Sequence, residues 1–199
     1  MRRKLLLATN NQAKVSEYKS LLHDLPFELV TLAERGITTV VSEVGESLEE
    51  NARLKATILA AESQLLALAD DSGLEVDALG GEPGRLSARY AGENASDRER
   101  VNYLLKRLKG VPWERRSACF KCVIAIAIPD GAVEFCSGKC QGFITFEPRG
   151  EHGFGYDPVF YLPELNKTMA ELPLEVKNQV SHRGQATRQV HQVLARLGQ

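Results

Sequence analysis

The sequence predicts an α/β protein with a mixed central sheet flanked by helices, plus a smaller lobe. Three observations support this fold class. Short apolar runs alternate with helical spacing at the start of the chain, and a hairpin pattern follows in the middle. The 199 residues, 43% of them hydrophobic and 26% charged, suffice for one domain with a sizeable core. We therefore expect a single domain over residues 1–199, with the smaller lobe contributed by residues around 80–110.

The first third of the chain predicts strands separated by helices. Residues 5–9 form a short apolar run, and Val15, Tyr18, Leu21 and Leu22 then follow at near-helical spacing. A second strand is expected over residues 27–32. The sequence Ser47-Leu48-Glu49-Glu50 has the pattern of a capping box that opens a helix. The apolar run at 65–69 predicts another strand, which we expect the following acidic pair to end.

The rest of the chain predicts a hairpin between two helices. Ser96-Asp97-Arg98-Glu99 is a second capping box, with a helix behind it. Residues 117–128 and 132–135 are rich in Val, Ile, Phe and Ala and predict the two strands of the hairpin. Residues 150–158 contain three glycines and predict a loop, and residues 183–196 have the spacing of a closing helix.

Charge and composition exclude several classes of protein. Lys and Arg number 25 against 26 Asp and Glu, so no global basic field exists to hold nucleic acid. The apolar run near the N-terminus is too short for a signal peptide, and none elsewhere approaches a membrane span. We expect a soluble cytoplasmic protein with reduced thiols. The cysteines at 119, 122, 136 and 140 fall on the predicted hairpin, where Cys119 and Cys122 face opposite sides and do not suit one zinc ion.

A polar turn is the first candidate binding site. Walker, G-x-G-x-x-G and G-x-S-x-G motifs are absent from the sequence. The segment Thr9-Asn10-Asn11-Gln12-Ala13-Lys14 lies between a predicted strand and a predicted helix. Helix N-terminal amides and a lysine at such a turn can bind phosphate groups. An ordinary capped turn with a solvated lysine is the alternative.

Adjacent carboxylates at Asp70 and Asp71 are the second candidate. Two carboxylates beside an apolar strand repel each other unless a cation or hydrogen bonds offset the repulsion. Mg²⁺ suits that need, because it prefers oxygen ligands and usually keeps waters and substrate phosphates in its shell. Glu43 is a candidate second ligand, with Glu46 as the alternative, and a simple turn with an Asx cap would need no metal.

Two later segments offer groups for a planar ring. In Gly153-Phe154-Gly155-Tyr156-Asp157-Pro158, glycines allow close backbone approach and two aromatic rings can stack on a ligand or pack in the core. Ser181-His182-Arg183-Gly184, preceded by Lys177, is either a cluster of hydrogen-bond donors for a base or phosphate or a solvated helix start.

In this order the segments resemble the inosine/xanthosine triphosphate pyrophosphatase family, and the match runs nearly end to end. The segments that carry the resemblance are Ala8-Thr9-x-Asn11-x-x-Lys14, Glu50-Asn51-Ala52-x-x-Lys55-Ala56, Ala69-Asp70-Asp71-Ser72-Gly73-Leu74, Gly80-Gly81-x-Pro83-Gly84, Ser87-Ala88-Arg89-Tyr90-Ala91-Gly92, Gly153-Phe154-Gly155-Tyr156-Asp157-Pro158 and Ser181-His182-Arg183-Gly184. The resemblance implies two lobes around a substrate cleft, a homodimer, and Mg²⁺-dependent hydrolysis of the non-standard purine nucleoside triphosphates ITP, dITP and XTP to the monophosphate and pyrophosphate.

The resemblance also implies roles for individual residues. The triphosphate would be held by Thr9, Asn11, Lys14 and Lys55. Glu43 and Asp71 would hold Mg²⁺, and Asp71 would also be the catalytic base, with Asp70 able to orient or share that work. The base of the nucleotide would be met by Ser72, Phe154, Gly155, Tyr156, Asp157, Lys177, His182 and Arg183.

Two other functions stay open at this point. One is a related pyrophosphatase that acts on modified pyrimidine or methylated nucleotides. The other is a non-catalytic module that binds nucleotides or RNA, which predicts a basic surface and no need for the Asp70-Asp71 pair.

Overall fold

The computed structural model describes residues 2–129 and 131–197. The helices in these ranges are α1 (Gln12–Leu21), α2 (Leu48–Ser63), α3 (Asp97–Arg107), α4 (Leu174–Val180) and α5 (His182–Leu197). The strands are β1 (Arg3–Leu7), β2 (Phe27–Thr31), β3 (Leu66–Val76), β4 (Pro83–Gly84), β5 (Ser117–Ala127), β6 (Val133–Ile144), β7 (Phe160–Leu162) and β8 (Lys167–Thr168).

These strands form one mixed sheet in the order β2-β1-β3-β5-β6-β7-β8, with β4 paired to β3. Strand β1 runs parallel to β2 and to β3, and Leu5 lies opposite Leu29 and Leu66. Helices α1 and α2 make the crossovers that parallel neighbours require. The β6–β7, β7–β8 and β3–β4 pairs are antiparallel. The predicted mixed α/β fold is therefore confirmed.

The chain divides into two compact units. Among the described residues, unit 1 comprises 2–71, 122–129, 131–138 and 183–197, and unit 2 comprises 72–121 and 139–182. Unit 2 is thus much larger than the smaller lobe predicted around residues 80–110. It also contains residues 117–121 of β5, residues 139–144 of β6 and the segments that follow, up to residue 182. The single domain over 1–199 and the substrate cleft stay predictions.

Unit 1 has a hydrophobic cluster on each face of its strands. Because successive strand residues point to opposite faces, Leu5 and Leu7 join one cluster while Leu6 and Ala8 join the other. The first cluster packs under α1 and α5, through side chains such as Tyr18 and Val190. The second packs under α2, whose small residues Ala52, Ala56 and Ala60 allow close approach to the sheet.

Unit 2 has its own core. Leu74 and Val76 of β3 pack there with Leu104 of α3 and Phe160 of β7. Phe120 and Phe160 of this cluster lie with ring centroids 4.5 Å apart.

Three local predictions need correction. Asp70 and Asp71 do not end a strand, because β3 continues through them to Val76. Strand β6 extends far beyond residue 135, to Ile144. The capping box at α2 is only half formed, since Ser47 accepts from the Glu50 N–H but the Glu50 carboxylate accepts from the Glu46 N–H instead. The capping box at α3 is complete.

Across the described ranges, no helix combines the length and the apolar character that crossing a bilayer demands.

Candidate active site

The two adjacent carboxylates of β3 point to opposite faces of the sheet. Leu66 and Leu68 belong to the cluster under α1 and α5, and Ala67 and Ala69 belong to the cluster under α2. The same alternation sends Asp70 toward α1 and α5 and Asp71 toward α2. The acidic pair is therefore tolerated inside a strand because each carboxylate meets its own cations on its own face.

Asp70 lies in a buried ion-pair network. Its Oδ2 atom is 3.0 Å from Lys14 Nζ and 3.1 Å from Arg183 Nη2, and the Asp70 side chain has no exposed surface. Arg183 Nη1 also donates to Glu17 Oε2 at 2.7 Å. Burial alone would raise the pKa of Asp70, but Lys14, Arg183 and Lys55 outweigh it and hold that pKa well below its usual range. Asp70 is thus an ionised carboxylate that pairs with Lys14 and Arg183.

Asp71 has different surroundings. Asn51 Nδ2 donates to its Oδ2 atom at 3.0 Å, and Lys55 Nζ lies 3.4 Å from its Oδ1 atom. Lys55 Nζ is also 2.8 Å from Glu43 Oε1. Burial, although opposed by Lys55, combines with the nearby Glu43 carboxylate to raise the pKa of Asp71 above its usual value. Of the two carboxylates, Asp71 is the one whose surroundings suit a proton acceptor.

The Lys55 ammonium is shared between two carboxylates. Burial lowers its pKa, but Asp71, Asp70 and Glu43 together outweigh that effect and raise it, so Lys55 is fully charged at neutral pH. Glu46, the alternative ligand, is exposed, and its backbone N–H is bonded to Glu50. The contacts therefore bring Glu43, and not Glu46, to Lys55 and Asp71.

The composition of this cluster suits a divalent cation. Its cationic side chains are Lys14, Lys55 and Arg183, and its carboxylates are Glu17, Glu43, Asp70 and Asp71. Four carboxylates against three cations leave an excess of negative charge. No group of three or more His, Cys, Asp or Glu side chains with metal-site geometry occurs among the described residues. Mg²⁺ needs only one or two carboxylates when phosphates and waters complete its shell, so Glu43 and Asp71 fit it.

The polar turn before α1 lies at the carboxyl end of β1, beside the acidic pair. Asn11 caps α1, and its Oδ1 atom accepts from the Lys14 N–H at 3.1 Å. Thr9 Oγ1 accepts from the Asn11 N–H at 3.2 Å. The turn is thus capped as the alternative reading predicts, but Lys14 is not solvated, because its side chain is only 13% exposed.

In unit 2, a buried ion pair organises the glycine-rich loop. Asp157 pairs with Lys177, and both side chains are almost fully buried. Asp157 Oδ2 also accepts from the Phe154 N–H at 2.9 Å, while Lys177 Nζ lies 4.9 Å from the centre of the Phe154 ring. Gly153 has a φ of +74°, and a Cβ atom there would meet Asp157 Oδ2, so the loop needs glycine at this position.

Other predicted base contacts in unit 2 are also fixed by packing. The Gly155 N–H donates to Asp97 Oδ2 at 2.6 Å, and the Tyr156 hydroxyl donates to the Ser87 carbonyl at 2.8 Å. The His182 ring stacks on Phe120 with centroids 4.6 Å apart and an 11° interplanar angle. Ser72 continues β3 and is partly exposed.

The start of α5 is not solvated. Ser181, His182 and Arg183 are all buried, with Arg183 only 1% exposed. The family resemblance implies that Arg183 is a base-binding residue, and in the structure its ion pairs connect it to Glu17 and Asp70 in unit 1. Its contacts are therefore those of a residue that supports Lys14 through Asp70.

Three residues that contact the predicted site residues have no role predicted from the sequence: Glu17, Asn51 and Asp97. Glu17 follows Lys14 by three residues and Asn51 precedes Lys55 by four, so each shares a helix face with a predicted phosphate ligand. That helical spacing could have indicated from the sequence that Glu17 and Asn51 lie near the site. Asp97 had no such signal, because its bond to Gly155 spans 58 residues of chain.

A family model described as the Ham1 family matches residues 5–193. The chain belongs to the Ham1 family. A dITP/XTP pyrophosphatase of Desulforamulus reducens is 50% identical over 98% of this chain and 96% of its own length. Another, from Bacillus subtilis, is 43% identical over 95% and 96%. The solved structure of a Ham1 protein from Coxiella burnetii is 43% identical, with a TM-score of 0.87 over 98% of this chain and 99% of that one.

Proposed function

We propose that this Ham1-family chain hydrolyses ITP, dITP and XTP to the monophosphate and pyrophosphate. The observation that carries the proposal is the set of charged side chains around Asp70 and Asp71, which lie in the middle of β3. Lys55 lies beside Asp71 and Glu43, and Lys14 lies beside Asp70. Full-length relatives named dITP/XTP pyrophosphatase support the same reaction and substrate class.

The triphosphate is proposed to bind to Lys14, Lys55, Thr9 and Asn11. In the structure both ammonium groups are paired with carboxylates. A triphosphate brings several negative charges, so phosphate oxygens would compete with those carboxylates for the same cations. Hydrolysis at the α-phosphorus spreads charge over in-line attacking and leaving oxygens, and fixed lysines stabilise that charge in the transition state.

Glu43 and Asp71 are the proposed ligands of Mg²⁺. When bound, Mg²⁺ would neutralise phosphate charge in the transition state. Asp71 is the proposed catalytic base, which orients a water molecule and takes its proton during attack on the α-phosphorus. Asp70 is proposed to stay ionised throughout, holding Lys14 in place together with Arg183.

Base selection is proposed to rest on residues of unit 2. The 6-oxo group of hypoxanthine and xanthine accepts hydrogen bonds where adenine carries an amino donor. A site built of donors leaves that amino group unpaired, which is a strong basis for rejection. The buried Lys177 ammonium and the His182 ring are the proposed donors. Phe154 and Tyr156 are proposed to contact the ring of the base. The other proposed base contacts are Ser72, Gly155 and Asp157.

A nucleotide panel tests the proposal. Pyrophosphate and orthophosphate release would be measured with ITP, dITP, XTP, GTP, ATP and dTTP, each with Mg²⁺ and with excess chelator. We expect pyrophosphate from ITP, dITP and XTP alone, and none with chelator. Orthophosphate would mean attack at the terminal phosphate, turnover of pyrimidines would favour the related pyrophosphatase, and binding without turnover would favour the non-catalytic module.

A homodimer in the cytoplasm, with no nucleic-acid or membrane partner, completes the proposal. Light scattering on the purified chain would give twice the mass of one chain if the dimer is correct.

A further inference from the structure

Asn51 connects the proposed catalytic carboxylate to the loop that carries Glu43. Its side chain lies on the sheet-facing side of α2 and is fully buried. Its Nδ2 atom donates to Asp71 Oδ2 at 3.0 Å, and its Oδ1 atom accepts from the Gly45 N–H at 2.8 Å. Because the Gly45 N–H can only donate and the ionised Asp71 carboxylate can only accept, these two partners fix the orientation of the amide.

The contact with the loop leaves no room for a side chain at residue 45. A Cβ atom on Gly45 would lie 2.7 Å from Asn51 Oδ1 and 2.7 Å from Glu50 Cβ. Any larger residue at 45 would therefore push the loop away from α2. Glu43 lies two residues before Gly45, and its carboxylate pairs with Lys55, one helical turn after Asn51. The amide of Asn51 thus fixes two elements, the Asp71 carboxylate and the backbone next to Glu43.

We propose that Asn51 is a positioning residue for hydrolysis, which aligns the Asp71 carboxylate and anchors the Glu43 loop through one buried amide. The inference rests on the proposed function, because it needs Asp71 to act in the reaction. Oδ2 of Asp71 is held by Asn51 while Oδ1 faces Lys55, so the carboxylate plane is set from both sides. Without the amide, Asp71 keeps the attraction of Lys55 but loses its orientation.

The test is steady-state kinetics with dITP on Asn51→Ala and Asn51→Asp. Losing a residue that orients a reacting group commonly lowers activity by about 10- to 100-fold. We expect that loss in kcat, with KM changed less than about threefold, because Lys14 keeps its contact with Asp70 and Lys55 keeps its contact with Asp71. Asn51→Asp keeps the size and the acceptor for Gly45 but replaces the donor with a carboxylate, so it should lose as much kcat.

The controls separate positioning from folding. Arg53→Ala alters an exposed side chain on the same helix, which pairs only with Glu49 among the ion pairs described, and should keep the parental kcat. Thermal unfolding shows which variants are folded at the assay temperature. If Asn51→Ala is unfolded there, the kcat of Asn51→Asp decides the test. Parental kcat in a folded Asn51 variant would overturn the inference.

Asp71→Asn, assayed alongside, separates the positioning role of Asn51 from the proposed catalytic role of Asp71. If Asp71→Asn is inactive while the Asn51 variants keep full kcat, only the inference fails. If Asp71→Asn keeps full activity, the proposed function of Asp71 fails, and the positioning role fails with it.

Discussion

Replacing Arg183 with Met should destabilise the protein strongly. The side chain is 1% exposed and pairs with Glu17 and Asp70, whose side chains are 5% and 0% exposed. Methionine has a similar length but no charge, so the variant leaves two buried carboxylates with fewer partners. Breaking a buried ion pair by removing one member typically costs about 3–5 kcal/mol.

The lower part of that range applies here, because Lys14 remains 3.0 Å from Asp70. We expect a loss of about 3 kcal/mol in the free energy of unfolding at pH 7. For a chain of this length, each kcal/mol shifts Tm by about 2–4 °C, so Tm should fall by about 6–12 °C. Urea unfolding followed by circular dichroism measures the first quantity, and a thermal scan measures the second.

The loss should shrink in acid. The folded-state pKa of Asp70 lies well below its ordinary value, because Lys14 and Arg183 outweigh the effect of burial. A lowered pKa stabilises the folded state above the unfolded pKa, about 3.9 for Asp, and that stabilisation fades as the pH falls further. Arg183→Met has less of this stabilisation to lose in acid. The difference in the free energy of unfolding between parent and variant should therefore narrow below about pH 4.

The matched control is Arg196→Met on the same helix. Arg196 pairs with Glu134 at 3.5 Å, but the two side chains are 66% and 49% exposed. An exposed pair of this kind contributes little, so the change should stay within about 0.5 kcal/mol. If Arg183→Met also cost less than about 1 kcal/mol at pH 7, the buried network would not stabilise the fold as argued.

Three further predictions concern the two units. Lys14→Ala and Lys55→Ala should each raise KM for dITP and lower kcat by about 10-fold or more. Each lysine is proposed to stabilise phosphate charge in both the ground state and the transition state. A change in KM alone would argue against contact in the transition state. Asp157→Asn removes the buried partner of Lys177 and should reduce the ITP-to-ATP ratio of kcat/KM by about 10-fold, and an unchanged ratio would remove this pair from base selection. Burial raises the pKa of the Cys122 thiol to about 12. Iodoacetamide at pH 8 should therefore leave Cys122 unmodified in the native protein and label it in urea, as mass spectrometry can check.

The sequence carried enough information for the fold class and for most elements. The parallel β1–β2 pair follows from apolar runs separated by a helix, and the hairpin follows from β-branched runs near residues 117–135. The prediction for β3 was wrong at Asp70, because two adjacent carboxylates normally mark a strand end. Only the cations on both faces of the sheet make a strand possible there, and those come from distant parts of the chain.

In the candidate site, too, the sequence predicted part of the arrangement and distant contacts determine the rest. Lys14, Lys55, Glu43 and Asp71 were predicted together, and the structure pairs Lys55 with Glu43 and Asp71 on one face of the sheet and Lys14 with Asp70 on the other. The ion pairs of Arg183 with residues 17 and 70 cross more than a hundred residues, so no local pattern could indicate them. The sequence indicates which groups could bind substrate or metal. Only the tertiary contacts show that Arg183 pairs with Glu17 and Asp70.

The most direct test of the account is dITP turnover and binding by Asp71→Asn in the presence of Mg²⁺. Asparagine keeps the size of the side chain and removes its ability to take a proton. We expect a folded variant that still binds dITP and releases pyrophosphate about 100- to 10,000-fold more slowly than the parent. A folded variant with a rate within about threefold of the parent would contradict the assignment of Asp71 as the catalytic base.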